Sequence, residues 1–164
     1  MERRLIEAGS GSVAVGYHAP AAAIPGLPLL AALHGGTYTS AYFGVAGGPS
    51  GSFLDIAGRN GFAVLTVDRP GYGASALLPE EENTFARQAE ILDHVIAAAL
   101  DVWPASGVVL VGHSIGGMIS LEIAARHPRW PLIGVTTSGN GARIPAGGAA
   151  EALARLPLSG VVDL

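Results

Sequence analysis

The sequence predicts an α/β fold with a mostly parallel sheet and flanking helices. Several short, continuous apolar runs each end at a polar or Gly-rich turn. Runs of this kind suit strands that are buried on both faces, as in a parallel sheet. Segments of helical periodicity lie between them, which is the alternation typical of α/β architecture. The composition is 49% hydrophobic and 13% charged, which excludes a disordered chain and favours a well-filled core.

The individual elements follow from these patterns. The apolar runs predict strands at 27–33, 62–67, 108–111 and 132–137, after two short strand candidates at 3–8 and 12–18. Helices are predicted at 84–100, with Asn83 or Thr84 as its cap, and at 114–126, where Pro128 stops the helix. A short helix is predicted at 52–59. No repeat and no linker divides the chain into two domains.

The charge and residue usage exclude several classes of function. Nine positive and thirteen negative side chains give a net charge of −4, and no basic patch for binding nucleic acid is evident. The absence of cysteine excludes disulfides, thiolate metal sites and a cysteine nucleophile. The longest apolar stretch, 19–33, contains three prolines and is too short to span a bilayer, which needs about 20 residues. We therefore expect a cytoplasmic protein without nucleic-acid or membrane partners.

The strongest motif is GHSIGG at 112–117, which follows an apolar strand run and opens a helical pattern. This is the G-x-S-x-G pattern in the context of strand, turn and helix that gives it meaning. Glycine at 112 and 116 permits a sharp turn, so that the hydroxyl of Ser114 is held out at the carboxyl end of the sheet. The helix N-terminus beneath it favours developing negative charge. We predict that Ser114 is a nucleophile with a strained backbone; the alternative is a Gly-rich turn with an incidental serine.

Two further turns follow earlier strands. LHGGT at 33–37 can supply a backbone donor from Gly36 or Thr37, and Ile115 can supply the other, for the oxyanion of an acyl-transfer reaction. His34 is interpreted as a loop hydrogen-bonding residue and not as a base. In DRPGYGAS at 68–75, Asp68 is interpreted as an acceptor that holds the turn and not as a catalytic acid.

HGG, DRPGYGAS and GHSIGG, in this order and at these separations, resemble the α/β-hydrolase fold superfamily over about residues 3–141. The resemblance implies a nucleophile at Ser114, an oxyanion hole formed by Gly36 or Thr37 with Ile115, and an acid and a histidine later in the chain. It also implies that 1–141 is the amino-terminal part of the hydrolase core and that 142–164 begins a lid. The expected fold is therefore α/β-hydrolase-like and incomplete at the C-terminus.

The residues after Ser114 depart from that pattern. The only later histidine, His127, lies a helix length away, at close to 20 Å by the rise of an α-helix. The segment 138–141 after the last predicted strand contains no ionisable side chain. We expect a complementary C-terminal polypeptide, whether separate, removed or cleaved, to supply the acid, the histidine and the last strands. Residues 1–164 alone should then have little or no esterase activity.

With that polypeptide, the predicted function is a serine hydrolase that acts on the carbonyl of a small ester, thioester or lactone, without metal or organic cofactor. Tyr38, Tyr42 and Asn140 are candidate pocket residues; packing of the loop on the sheet is the alternative for the two tyrosines. Two other functions remain open. One is lyase, cyclase or cofactor-free oxidation chemistry on the same fold, and the other is a non-catalytic binding module.

Overall fold

The computed structural model describes residues 1–9 and 11–141, and in this range it is a six-stranded sheet flanked by helices. The strands are β1 (Glu2–Glu7), β2 (Ser12–His18), β3 (Leu29–Leu33), β4 (Val64–Val67), β5 (Val108–His113) and β6 (Leu132–Ser138). The helices are α1 (Phe53–Arg59), α2 (Phe85–Val102) and α3 (Ile115–Ala125), with short 3-10 segments at Ser40–Gly44 and Glu80–Glu82. The predicted fold class is confirmed. The predicted lid, 142–164, lies outside the described residues.

The order of strands across the sheet is β1-β2-β4-β3-β5-β6. The pairs β4–β3, β3–β5 and β5–β6 are parallel. In this register Leu33 lies beside Gly112, and Gly112 lies beside Thr137. The loops that follow β3, β5 and β6 therefore emerge next to one another at one edge of the sheet.

The first two strands are antiparallel to each other, and β2 is antiparallel to β4. The connection from β1 to β2 is a tight turn in which Ala8 N donates to Gly11 O at 3.0 Å. Such a short connection can join only antiparallel neighbours, because a parallel pair needs a crossover of a dozen or more residues. The sheet is thus parallel in its centre and on the β6 side only.

The main core lies between the sheet and the helices α2 and α3. The apolar side of α2 is fully buried at Ala89, Leu92 and Ile96, as its helical spacing predicts, whereas Phe85 at its start is 37% exposed. Thr84 caps this helix, because its hydroxyl accepts a hydrogen bond from Arg87 N at 3.2 Å. The shorter α1 covers the other face of the sheet, where Ala57 packs with residues of β3 and β4.

The expectation that 132–137 is buried on both faces is wrong. The segment forms β6, which among the described residues lies at the end of the sheet and pairs only with β5, and Ile133 is 59% exposed. An apolar run does not distinguish a central strand from an edge strand, because both require the same residue types on the covered face. Within the described residues, no helix has both the length and the apolar character needed to cross a membrane.

Replacement of Leu92 by Ala should lower the free energy of unfolding by about 2–5 kcal/mol, because it leaves a cavity between α2 and the sheet. The matched control is Leu121→Ala on α3, where the leucine is 47% exposed and the expected change is within about 0.5 kcal/mol. Urea unfolding followed by circular dichroism measures both. Equal losses in the two variants would contradict the assigned core.

Candidate active site

Ser114 occupies the turn between β5 and α3. Its backbone has φ 51° and ψ −121°, a conformation that L-residues other than glycine rarely adopt. Such a residue costs about 1–3 kcal/mol and persists only where its surroundings hold it in place. The predicted strand-to-helix turn and the predicted strained backbone are both confirmed by these angles.

Four hydrogen bonds hold the strained residue on both sides. Ser114 N donates to Ser138 O at 2.8 Å, which ties the turn to the end of β6. Ser114 O accepts from Gly117 N at 2.8 Å, from Met118 N at 3.2 Å and from the side-chain amide of Asn140 at 2.7 Å. The backbone of the turn is therefore held by two segments of the chain, the start of α3 and residues 138–140.

The hydroxyl of Ser114, by contrast, has no hydrogen-bond partner among the described residues, and the side chain does not cap α3. Ser52 shows the usual behaviour: with φ −80° and ψ 171° its hydroxyl accepts from Asp55 N at 3.1 Å and caps α1. The positive φ of Ser114 turns its side chain away from the corresponding amides. The hydroxyl at the start of α3 is thus available to another group.

Glycines at 112 and 116 allow this turn to pack closely. A Cβ on Gly116 would overlap the carbonyl oxygen of Leu33 at the end of β3. A Cβ on Gly112 would overlap the backbone of Gly117. These are contacts with backbone atoms, which cannot move aside as a flexible side chain can. The sequence expectation for both glycines is therefore matched by their surroundings.

The loop after β3 lies against the Ser114 turn. A Cβ on Gly35 would lie 3.2 Å from Ser114 Cβ, and one on Gly36 would lie 3.1 Å from the side chain of Ile115. The backbone amides of Gly36, Thr37 and Ile115 donate no hydrogen bond to the described part of the chain. The two segments predicted to supply oxyanion donors are thus neighbours, at adjacent strand ends.

Beneath that loop lies a buried polar network that the sequence analysis did not find. Its centre is Arg69, which is 1% exposed and bonds to His34 O at 2.9 Å, to Gly35 O at 2.8 Å and to the side chain of Gln88 at 2.9 Å. Arg69 N also donates to His34 Nε2 at 3.1 Å. An arginine in a turn is ordinarily exposed. The burial of Arg69 depends on acceptors from distant parts of the chain, so no local sequence pattern could predict it.

His34 is fully buried, and its imidazole is used by the loop itself. Nδ1 donates to Gly35 O at 2.8 Å, while Nε2 accepts the Arg69 amide. Burial, with a smaller contribution from the positive charge of Arg69, lowers the pKa of His34 to about 4. The neutral form of His34 is therefore the one that fits both hydrogen bonds, in agreement with its interpretation as a loop residue.

Asp68 also has a structural role, as predicted. One carboxylate oxygen accepts a hydrogen bond from Ser40 N at 2.7 Å, and the Asp68 carbonyl accepts one from the hydroxyl of Ser75 at 2.6 Å. The side chain is 8% exposed. Asp68 therefore joins the turn after β4 to the segment that follows the loop after β3.

The predicted pocket tyrosines lie beside the Ser114 turn. The ring of Tyr42 stacks on His113 with 5.0 Å between centroids, and Tyr38 contacts Tyr42 at 5.1 Å. Tyr38 is 43% exposed and Tyr42 is 36% exposed. The His113 ring also contacts β6, since its Nδ1 is 3.1 Å from Ser138 Oγ. These rings form a partly open apolar surface next to the nucleophile candidate.

The third predicted pocket residue, Asn140, contacts the turn itself. Its amide nitrogen donates to Ser114 O, and its Oδ1 is buried without a hydrogen-bond partner among the described residues. A Cβ on Gly117 would overlap this side chain. In this conformation Asn140 supports the backbone of the candidate nucleophile, and its predicted contact with substrate stays a prediction.

Among the described residues, no histidine forms a hydrogen bond with the Ser114 hydroxyl. His18 lies 3.3 Å from Thr66 Oγ1, and His94 bonds Glu90 O on α2. His127 follows α3 at its far end, with φ 54°. The described residues also contain no group of three or more His, Asp or Glu side chains that could hold a metal ion.

Gly116→Ala should lower the free energy of unfolding by at least about 2–3 kcal/mol, because the new methyl group overlaps backbone at the end of β3. Gly58→Ala in α1 is the matched control, since a Cβ there meets open space. The control should be more stable by about 0.5–1 kcal/mol, because alanine favours the helix. Thermal and urea unfolding distinguish the two signs; a stabilised Gly116→Ala variant would contradict the close contact.

The low pKa of His34 predicts a pH dependence of stability. Above pH 6.5 the imidazole is neutral in both the folded and the unfolded chain. Between pH 6.5 and about 4 only the unfolded chain takes up the proton, so the free energy of unfolding falls, by up to about 3 kcal/mol. Burial also lowers the pKa of His18, which therefore changes the stability in the same direction. All variants in this experiment accordingly carry His18→Asn, so that only the effect of His34 is measured.

Urea unfolding at pH 7.5 and pH 4.5 measures this fall, before most carboxylates titrate. His34→Asn should remove most of it, whereas His94→Asn, on the exposed side of α2, should leave it in place. A fall of the same size in the His34→Asn variant would assign the effect to other groups.

Comparison with known proteins identifies a matching family and several similar proteins. A family model described as the alpha/beta hydrolase family matches residues 30–163. A curated relative, named as a non-heme haloperoxidase of Mycobacterium phage D29, is 35% identical over 70 residues, which are 43% of this chain and 23% of the relative.

Solved structures are similar over most of this chain but over less than half of their own length. Proline iminopeptidase of Mycobacterium smegmatis is 26% identical with a TM-score of 0.64, over 82% of this chain and 42% of that chain. The N-acyl homoserine lactonase AidH is 22% identical (TM-score 0.62; 85% and 45%). An esterase from Exiguobacterium antarcticum is 20% identical (TM-score 0.64; 86% and 46%). The family match, which covers most of the sequence, together with the Ser114 turn, shows that the chain belongs to the alpha/beta hydrolase family.

Proposed function

We propose that this chain carries the nucleophile and the oxyanion hole of a serine hydrolase that acts on a small ester, thioester or lactone. The observation that carries the proposal is Ser114: a strained residue at a helix N-terminus whose backbone is held by four hydrogen bonds and whose hydroxyl has no partner in the described residues. A serine that served only the turn would adopt the relaxed capping conformation seen at Ser52.

The proposed reaction is nucleophilic acyl transfer. Ser114 Oγ attacks the carbonyl carbon while a general base takes its proton, and the carbonyl oxygen becomes an oxyanion. The amides of Ile115 and of Gly36 or Thr37 donate to that oxyanion; what supports this role is that they are adjacent and make no other hydrogen bond in the described residues. The alcohol or thiol leaves with a proton, and water then releases the acid from the acyl-enzyme.

The substrate side of the proposal rests on the rings of Tyr38 and Tyr42. They present an exposed apolar surface beside Ser114, which suits an acyl chain or ring of a small substrate. The similarity to a lactonase and to an esterase is consistent with a carbonyl substrate of this class. We propose that the substrate is held there while its carbonyl oxygen accepts from the amide of Ile115 and from that of Gly36 or Thr37.

The base and the acid are proposed to come from polypeptide beyond the described residues. The rings of four described histidines bond groups other than the Ser114 hydroxyl, namely those of His18, His34, His94 and His113. The fifth, His127, follows α3 at its far end. The chain also spans less than half of the length of the three solved structures described above. A complementary C-terminal segment would supply the histidine and orient it with a carboxylate.

A second candidate function is cofactor-free oxidation chemistry at the same site, which the name of the phage relative favours. The two candidates differ in their requirement for peroxide. Turnover of an ester without added peroxide supports the hydrolase. Halide oxidation that requires peroxide, with no ester turnover in its absence, would support the alternative.

The natural polypeptide that contains these residues should react with a fluorophosphonate probe at Ser114 and should hydrolyse p-nitrophenyl butyrate. Ser114→Ala should abolish labelling and reduce turnover by on the order of 10³-fold or more, because the nucleophile is removed. Ser106→Ala is the control, since that exposed hydroxyl bonds only Gly26 O near the opposite end of β3. Unchanged labelling in Ser114→Ala would refute the proposed nucleophile.

Residues 1–164 expressed alone should show at most a small residual esterase activity, because a serine hydroxyl without a base is a poor nucleophile at neutral pH. Addition of the polypeptide that follows in the natural protein should raise the turnover. Full activity of the 164 residues alone, lost in Ser114→Ala, would mean that a base lies within this chain, with His113 as the first candidate.

A further inference from the structure

Arg69 is a buried cation whose partners are all neutral. It is 1% exposed, and its three side-chain hydrogen bonds go to two backbone carbonyls and one amide oxygen. Its guanidinium carbon also lies 4.5 Å from the ring of Tyr72. Among the described residues no carboxylate forms an ion pair with it. Since an unpaired buried charge is costly, its position calls for a function other than simple packing.

The hydrogen bonds of Arg69 determine the direction of one peptide group. The Gly35 carbonyl accepts from Arg69 at 2.8 Å and from His34 Nδ1 at 2.8 Å, so its oxygen points into the protein. In a trans peptide the N–H points opposite to the C=O, and this chain has no cis peptide in its described residues. The Gly36 N–H is therefore directed away from Arg69, out of the buried network.

The same hydrogen bonds also strengthen that N–H as a donor. A carbonyl that accepts from a cation is polarised, and the amide of the same peptide group becomes a better hydrogen-bond donor. The effect is greatest where the surroundings are poorly screened, as they are around a residue with this burial. The guanidinium acts on the Gly36 amide through the peptide group and touches no substrate.

We propose that Arg69 is a positioning residue of the active site, which aims and polarises the Gly35–Gly36 peptide so that its N–H stabilises the oxyanion. This inference rests on the proposed serine acyl-transfer function. The inference assigns a role to the DRPGYGAS turn that follows β4. This turn places the positive charge of Arg69 under the loop that follows the neighbouring strand β3.

The network around Arg69 is built to keep this orientation. Gln88 on α2 accepts from Arg69 and itself donates to Asn83 Oδ1 at 2.6 Å. His34 uses both ring nitrogens within the network, and the low pKa that burial gives it keeps it neutral beside Arg69. The guanidinium is thus held by three acceptors. A substitution that changes its hydrogen-bonding geometry should therefore change the orientation of the Gly35–Gly36 peptide.

The test compares Arg69→Lys and Arg69→Gln with the control Arg87→Gln in the natural polypeptide. Arg87 is a partly exposed arginine of α2 that pairs with Glu90. For hydrolysis of p-nitrophenyl butyrate, Arg69→Gln should lower kcat by on the order of 10²-fold, the typical effect of a weakened oxyanion donor, with KM nearly unchanged. Arg69→Lys, which keeps the charge but not the planar fork, should lie between it and wild type. Arg87→Gln should behave as wild type.

Two readouts separate positioning from general stability. An aryl boronate, which forms a tetrahedral anion on serine, should bind Arg69→Gln more weakly in proportion to the loss of kcat/KM, while butyramide, a neutral substrate-like inhibitor, should bind as it does to wild type. The amide proton of Gly36 should shift upfield in the NMR spectrum of Arg69→Gln. Equal weakening of both inhibitors, or an unchanged kcat and an unchanged Gly36 amide, would overturn the inference.

The controls keep this result distinct from failure of the proposed function. If wild type is not labelled by the fluorophosphonate, the serine mechanism itself fails, and the role of Arg69 falls with it. If wild type is labelled and the Arg69 variants keep their full kcat, only the positioning role fails. If thermal unfolding shows that Arg69→Gln is not folded, the double variant Arg69→Lys, Gln88→Leu replaces it in the comparison. This variant removes the planar guanidinium and its bond to Gln88 but retains the positive charge.

Discussion

The arrangement depends on a close backbone contact between the start of α3 and the end of β3. Gly116 lies so near the Leu33 carbonyl that no side chain fits between them. This contact sets the distance between the Ser114 turn and the loop that follows Leu33, and with it the separation of the nucleophile candidate from the amides of that loop. The strained φ of Ser114 follows from the same constraint, since the chain must leave β5 and enter α3 within one residue.

Polar groups under the loop complete what the backbone contact begins. Arg69 and His34 satisfy the carbonyls that face inward, so that the amides on the other side of the peptide groups stay free. Asp68 and Asn140 hold the neighbouring segments by hydrogen bonds to backbone atoms. The side chains around the site thus act mainly on the backbone, which agrees with the proposed chemistry, in which amides and one hydroxyl take part.

Much of the fold could be predicted from the sequence because its signals are local. The apolar runs and helical periodicities place all six strands and all three helices of the described residues within a few positions. Ser114 was identified because glycine spacing, the preceding strand and the following helix are all contiguous in the chain. The exposure of Ile133 on β6 was not predicted, because burial of a strand face depends on packing against segments that are far away in the sequence.

The sequence by itself determined the class of fold, the turn at Ser114 and the loop that faces it, since each is written in adjacent residues whose backbone preferences are known. Only the tertiary structure decided that β1 and β2 are antiparallel, that Arg69 is buried under the loop, and that Asn140 binds the Ser114 carbonyl. Those features join residues that are distant in the chain, and they form only when the strands have paired in the sheet. The physical reason is that burial and hydrogen-bond partners are properties of the packed chain, whereas turns and periodicities are properties of a short segment.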